Sequence, residues 1–156
     1  ASTRIAYSIS TNAPGDIHTS GWGLSADYVL PHNFTFSSSI YTDEIGSLPR
    51  GFISYFNTPL FRANFAINNS GFLFKNRLGF GANLHYQDDF TYEGTFAVGK
   101  VNSYQTVDAV LTYKVPSIKS LIKVGGTNIF NRYYTTAFGS PQIGGLYYAS
   151  FAYNIL

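Results

Sequence analysis

Cysteine is absent from this 156-residue chain, which excludes disulfide bonds and thiol chemistry and is compatible with an oxidising compartment. Charge is scarce as well. Asp, Glu, Lys and Arg together make up 12% of the residues, against about 25% in an ordinary soluble domain. The net charge is +2 and the basic residues are scattered, so no basic stripe exists on which nucleic acid could lie. Long apolar runs are missing too. A membrane-crossing helix needs about 20 consecutive apolar residues, and the chain contains none. Nor does a signal segment open it: Ala1 is not an initiator Met, and no cationic stretch leading into an apolar one follows. The chain is therefore expected to be a mature product or a piece of something longer.

What the sequence does contain is aromatic residues, 18% of the total, in a chain whose mean hydropathy is close to neutral. Hydrophobicity must then be hidden by alternation. Eight segments show it. Ile5, Tyr7 and Ile9 oppose Arg4, Ala6, Ser8 and Ser10. Trp22, Leu24, Ala26, Tyr28 and Leu30 oppose Gly23, Ser25 and Asp27. Phe34, Phe36 and Ile40 oppose Thr35, Ser37 and Ser39. Phe61, Ala63, Phe65 and Ile67 oppose Arg62, Asn64 and Asn68. Leu78, Phe80, Ala82, Leu84 and Tyr86 oppose Arg77, Gly79, Gly81, Asn83, His85 and Gln87. Val107, Ala109, Leu111 and Tyr113 oppose Thr106, Asp108, Thr112 and Lys114. Ile122 and Val124 oppose Lys123, Gly125 and Thr127. Tyr147, Ala149, Phe151, Tyr153 and Ile155 oppose Ser150, Ala152 and Asn154. A period of 2 is a strand period, not the 3.6 of a helix.

Such segments build either a soluble antiparallel sandwich or a transmembrane antiparallel up-and-down β-barrel, in which lipid-facing and interior-facing side chains take turns. The connections favour the barrel. Short links at 31–33, 69–75 and 116–120 alternate with long ones at 11–20, 42–59, 88–103 and 131–145, which is the pattern of short periplasmic turns and long extracellular loops. Both termini then fall on the periplasmic side. Trp22, Tyr86 and Tyr147 sit near the outer strand ends and Phe74, Tyr113 and Tyr153 near the inner ends, as two aromatic girdles require.

The interior face inferred from the alternation holds Arg4, Arg62, Arg77, Lys114 and Lys123, but only Asp27 and Asp108 to balance them. Eight strands alone close around a lumen that side chains fill, where unpaired buried charge is costly. A wider barrel accommodates these cations easily. In that case the first and last strands are edges whose partners lie elsewhere, since open edges do not persist in hydrocarbon.

"GGTNIFNRYY" followed by "GSPQIGGLYY" resembles the penultimate strand, last extracellular loop and final strand of TonB-dependent outer-membrane receptors. "YFNTP" at 55–59, "YQDDFTYEG" at 86–94 and "SYQTVDAVLTYKVP" at 103–116 resemble the Bacteroidetes, SusC-like branch of that family. The resemblance implies a 22-stranded barrel of which residues 1–156 are the C-terminal part, with the plug domain and TonB box absent. It marks Asn128, Phe130, Asn131, Tyr134, Gly139 and Pro141 as the family motif. It also implies outer-membrane lipid, the remaining barrel strands and plug, the TonB complex and a SusD-like surface lipoprotein as partners, with no nucleic acid and no cofactor. Localisation would be the outer membrane of a Gram-negative bacterium. One departure stands out: the final Leu156 is aliphatic and out of phase with the outward stripe, so that an assembly signal would be read from a shifted end or from Ile155.

Candidate chemistry is sparse. Asn128 and Asn131 in "NIFN" could hold a polar ligand but more often cap a turn, and Gly139, Pro141, Gly144 and Gly145 read first as loop punctuation. Asp88, Asp89 and Glu93 have oxygen ligands but no metal-loop spacing, and His18, His32 and His85 lie too far apart to pair, so no metal is assigned. His85 and Asp88 approach the loop face without any nucleophile motif, and an enzyme is not expected. The expected function is energised nutrient uptake, of a siderophore, glycan or peptide, by the whole receptor. In this segment Tyr92, Phe96, Tyr133 and Tyr134 would contact ligand from the long loops, and Arg62, Arg77, Asn83 and His85 would face the lumen. The alternative is a self-contained eight-stranded barrel with a structural or adhesive role.

Overall fold

The alternation folds into one continuous meander. The computed structural model describes residues 12–95 and 97–154. Seven long strands, β1 (Thr19–Leu30), β2 (Phe34–Ile45), β3 (Phe61–Leu73), β4 (Leu78–Gln87), β7 (Tyr104–Val115), β8 (Ser120–Thr127) and β9 (Leu146–Tyr153), pair antiparallel in the order β1-β2-β3-β4-β7-β8-β9. Each lies beside its neighbour in this up-and-down sheet, and among the described residues β1 and β9 have one neighbour each. A short hairpin of β5 (Phe90–Glu93) and β6 (Val98–Val101) forms a second sheet inside the β4–β7 connection. Among the described residues no helix is long and apolar enough to cross a membrane, which says nothing of strands.

Register turns the local alternation into two faces. Tyr28, Phe36, Ile67, Ala82, Ala109, Gly126 and Tyr147 form one row across all seven long strands. On the other face Ser25, Ser39, Asn64, His85 and Thr106 form a polar row. A one-residue slip would exchange the faces, so the pairing keeps most of the bulky apolar side chains on the same side, with Val29, Val110, Leu121 and Tyr148 on the other. Among the described residues neither face is covered by a second layer. Ala63 and Val101 are the buried apolar residues among those described, whereas Leu111 is 57% exposed, Phe151 61% and Tyr153 70%. A sandwich would have placed one of these faces in its core, so a soluble sandwich closed within the chain is not what this sheet builds.

The short connections are tight because they use left-handed backbone. His32 and Asn33 have φ of 61° and 64° in the β1–β2 turn, Phe74, Lys75 and Asn76 are positive in the β3–β4 turn, and Lys119 has φ 49° after the single 3-10 turn Pro116–Ile118. Two of these turns are stitched together: Asn69 Nδ2 donates to His32 O at 2.8 Å and Asn33 Nδ2 to Gly71 O at 3.0 Å. Phe34, Phe72 and Phe80 pack beneath them with ring centroids 5.7 to 6.2 Å apart.

Several expectations need correction. The link expected at 69–75 is strand until Leu73, with a bulge between Asn69 and Leu73, and the turn comes at 74–77. The pattern broke at Asn69 because that side chain is buried, donating to His32 O and accepting the Gly71 N–H. The connection at 88–103 contains the β5–β6 hairpin, and β2 runs on to Ile45. The segment around Ile5 and the chain end at Ile155 and Leu156 lie outside the described residues. Elsewhere the expected strands are present, and all three long connections, β2–β3, β4–β7 and β8–β9, leave the same end of the sheet.

Candidate functional site

At that long-loop end the polar face carries a chain of hydrogen bonds that crosses three strands. Nδ1 of His85 on β4 lies 2.6 Å from Oδ1 of Asn64 on β3, and its Nε2 lies 3.0 Å from Oδ2 of Asp108 on β7. The other oxygen of Asp108 accepts the backbone N–H of Asn128 at 2.8 Å. The strands place these groups within reach: Asn64 is directly opposite His85, and Asp108 is one diagonal step away, opposite Asn83.

Next to this chain, Arg62 forms an ion pair with Asp43 of β2 and lies over the Tyr41 ring, 5.9 Å from its centroid. Asp43 was missing from the sequence reading because the alternation loses its apolar partner after Ile40. Its presence on the polar face lowers the charge imbalance that the sequence suggested. Lys114 is also engaged, donating from Nζ to Ser70 O at 2.8 Å.

Arg62, Asn64, His85, Asp108 and Asn128 line a cavity of about 450 Å³ together with Gln87, Tyr104, Thr106, Thr127 and Tyr134. Tyr104 and Tyr134 stack at its rim, ring centroids 4.1 Å apart and planes 30° from parallel. A second hollow of about 420 Å³ continues past them, lined by Tyr86, Ser103, Gln105, Arg132 and Tyr133. The chemistry on offer is binding: planar amides, hydroxyls, an imidazole and aromatic faces, with the main charges already paired.

The expected site residues separate into groups. Arg62 and His85 meet in the cavity, and Tyr134 completes its rim. Asn83 belongs to the same face one row further in, with its Oδ1 buried and unpartnered. Arg77 is not with them: it lies in the exposed turn at the opposite end of β4. Tyr133 is 66% exposed beside its stacked neighbour. Tyr92 is on β5 in the separate hairpin, and Phe96 lies outside the described residues.

The "NIFN" asparagines build the loop. Asn128, buried with φ 47°, donates from Nδ2 to Arg132 O at 2.7 Å and accepts the Arg132 N–H on Oδ1 at 3.1 Å. Asn131 accepts the Gly145 N–H at 2.8 Å, closing the loop on its own base. Both side chains are spent on backbone, the turn-capping use of Asn. Gly139 has φ 81°, which explains a glycine there. Phe130 projects outward, 66% exposed.

Three acidic residues in the β4–β7 connection also have protein partners. Asp88 accepts from Tyr86 Oη at 2.6 Å, and Asp89 pairs with Lys100 at 2.9 Å. Oε2 of Glu93 accepts from Ser54 N, Ser54 Oγ and Tyr55 N at 2.8 to 3.0 Å, while Asn57 brackets the Glu93 backbone with both ends of its amide. The "YFNTP" stretch is thereby locked to the hairpin. Among the described residues no cluster of three potential metal ligands exists. His18 and His32 lie at opposite ends of β1. His85 takes Asp108 as its acidic partner instead of Asp88.

Compared with protein-family models the chain matches none, and no curated protein matches it.

Proposed function

We propose that this chain forms the C-terminal part of the wall of a transmembrane β-barrel in the outer membrane of a Gram-negative bacterium, belonging to a TonB-dependent receptor of the SusC-like kind. The carrying observation is the uncovered apolar face, seven strands wide, with only Ala63 and Val101 buried among the described apolar residues. A contiguous apolar surface of that extent needs a non-aqueous neighbour. Lipid fits best, because strands of 8 to 13 residues have the length that a bilayer crossing requires.

Other features support the reading. Phe74 and Tyr113 pack edge to face at the short-turn end, while Trp22, Tyr86 and Tyr147 stand towards the loop end, an arrangement suited to two interfacial girdles. The interlocked long loops and the polar cavity beneath them suit capture of a polar nutrient, a siderophore, glycan or peptide. Energised import would be the work of the complete receptor with its plug, the TonB complex and a surface lipoprotein. This part supplies wall and loops, and no catalytic step is assigned to it.

The test is the size and location of the native product. An antibody raised against residues 131–145 should reveal a band several-fold heavier than 17.2 kDa in outer membranes. A heat-modifiable band at 17.2 kDa would replace the receptor reading with a self-contained small barrel, and recovery in the aqueous fraction would overturn the membrane reading itself.

A further inference from the structure

Two neighbouring turns at the short-turn end have the same local design. In the β3–β4 turn Phe74, 65% exposed, is followed by exposed Lys75, and in the β7–β8 turn Ile118, 49% exposed, is followed by exposed Lys119. Both lysines occupy left-handed backbone, φ 60° and 49°. A lysine gains nothing from that conformation, which favours Gly or Asn. The turns are adjacent because β4 pairs with β7, and the Lys114 N–H donates to Arg77 O at 2.9 Å across their bases.

Charge is distributed unevenly between the two ends. Asp27 is the one carboxylate towards the short-turn end among the described residues, whereas Asp43, Glu44, Asp88, Asp89 and Glu93 gather at the long-loop end. The short-turn rim thus presents paired apolar and cationic side chains with almost no opposing negative charge. Phe74 rests against Tyr113 on the apolar face, so the first of these pairs lies at the border of that face.

We infer that the 74–75 and 118–119 turns form a docking rim for anionic phospholipid head groups, with Phe74 and Ile118 entering the acyl boundary and Lys75 and Lys119 meeting the phosphodiester. An exposed apolar residue beside a lysine at one level is the arrangement that anchors protein at a charged lipid interface. An acidic polypeptide would be matched by the lysines alone and would leave Phe74 and Ile118 in water. The inference rests on the membrane reading above and adds the lipid class and the leaflet-facing residues.

The experiment uses the protein purified in non-ionic detergent, with phosphatidylglycerol and phosphatidylcholine of identical acyl chains added, and retained lipid read by native mass spectrometry. Preferential retention of phosphatidylglycerol is expected, decreasing about fivefold per lysine removed in Lys75→Gln and Lys119→Gln and restored by Lys→Arg at both positions. Equal retention of the two lipids, or a preference unchanged in the double Gln variant, overturns the inference. A protein that stays monomeric without detergent overturns the membrane reading instead, so the two failures are distinguishable.

Discussion

Nε2 of His85 lies 3.0 Å from Oδ2 of Asp108, and the second oxygen of the same carboxylate receives the N–H of Asn128. One side chain thus joins a strand-to-strand contact to the base of the longest loop of the β8–β9 end. Asp108→Ala should leave both donors unpaired and destabilise the protein by about 1–3 kcal/mol, with faster amide exchange at Asn128. Asp108→Asn keeps an acceptor for that N–H and should lose less. Equal stability of Asp108→Ala and the native protein in thermal unfolding would refute this role.

Glu93 gathers Ser54 and Tyr55 on a single carboxylate oxygen. Glu93→Ala should open the 49–59 segment to protease while the long strands keep their exchange protection, because local openings follow local contacts. Simultaneous loss of protection in β3 and β4 would mean that the loop lock also supports the sheet.

Leu24 and Ser25 are consecutive residues of β1 on opposite faces. In lipid, Leu24→Lys should cost about 2–4 kcal/mol and Ser25→Lys little. If both faces met water, both changes would stay within about 0.5 kcal/mol. Refolding equilibria in detergent and lipid distinguish the two cases.

Tyr133 is mostly exposed, whereas Tyr134 is stacked on Tyr104 and bridged to Ile143 through its backbone. On the proposed receptor reading, Tyr133→Ala should weaken ligand capture roughly fivefold or more with an unchanged melting temperature. Tyr134→Ala should move both. A Tyr133 variant with native affinity would remove that ring from the contact surface.

Much of this architecture is legible residue by residue. The fifth expected segment, Leu78 to Tyr86 against Arg77 to Gln87, is β4 but for Arg77, which lies in the turn, because β4 alternates without interruption. β5 and β6 escaped notice because four residues each are too few for a period to register, and their pairing is fixed by Gly94 and Ala97 closing the turn at 2.9 Å. Asn69 misled because a polar residue on the apolar stripe reads as the end of a strand, when it opens a bulge and binds the neighbouring β1–β2 turn.

The sequence by itself determined the seven long strands, their two faces and the alternation of short with long connections, because side-chain direction along a strand depends only on residue parity. It also pointed to a turn-building use of Asn128, whose amide acts on the backbone of Arg132 four residues on, whereas the partner of Asn131, Gly145, lies 14 residues away. Only the tertiary structure decided that Arg62 meets Asp43, that His85 meets Asp108 and not Asp88, and that Arg77 lies away from both. Those contacts join residues 19 and 23 positions apart. They depend on register between strands, which no local pattern encodes and which pairing across the whole sheet selects.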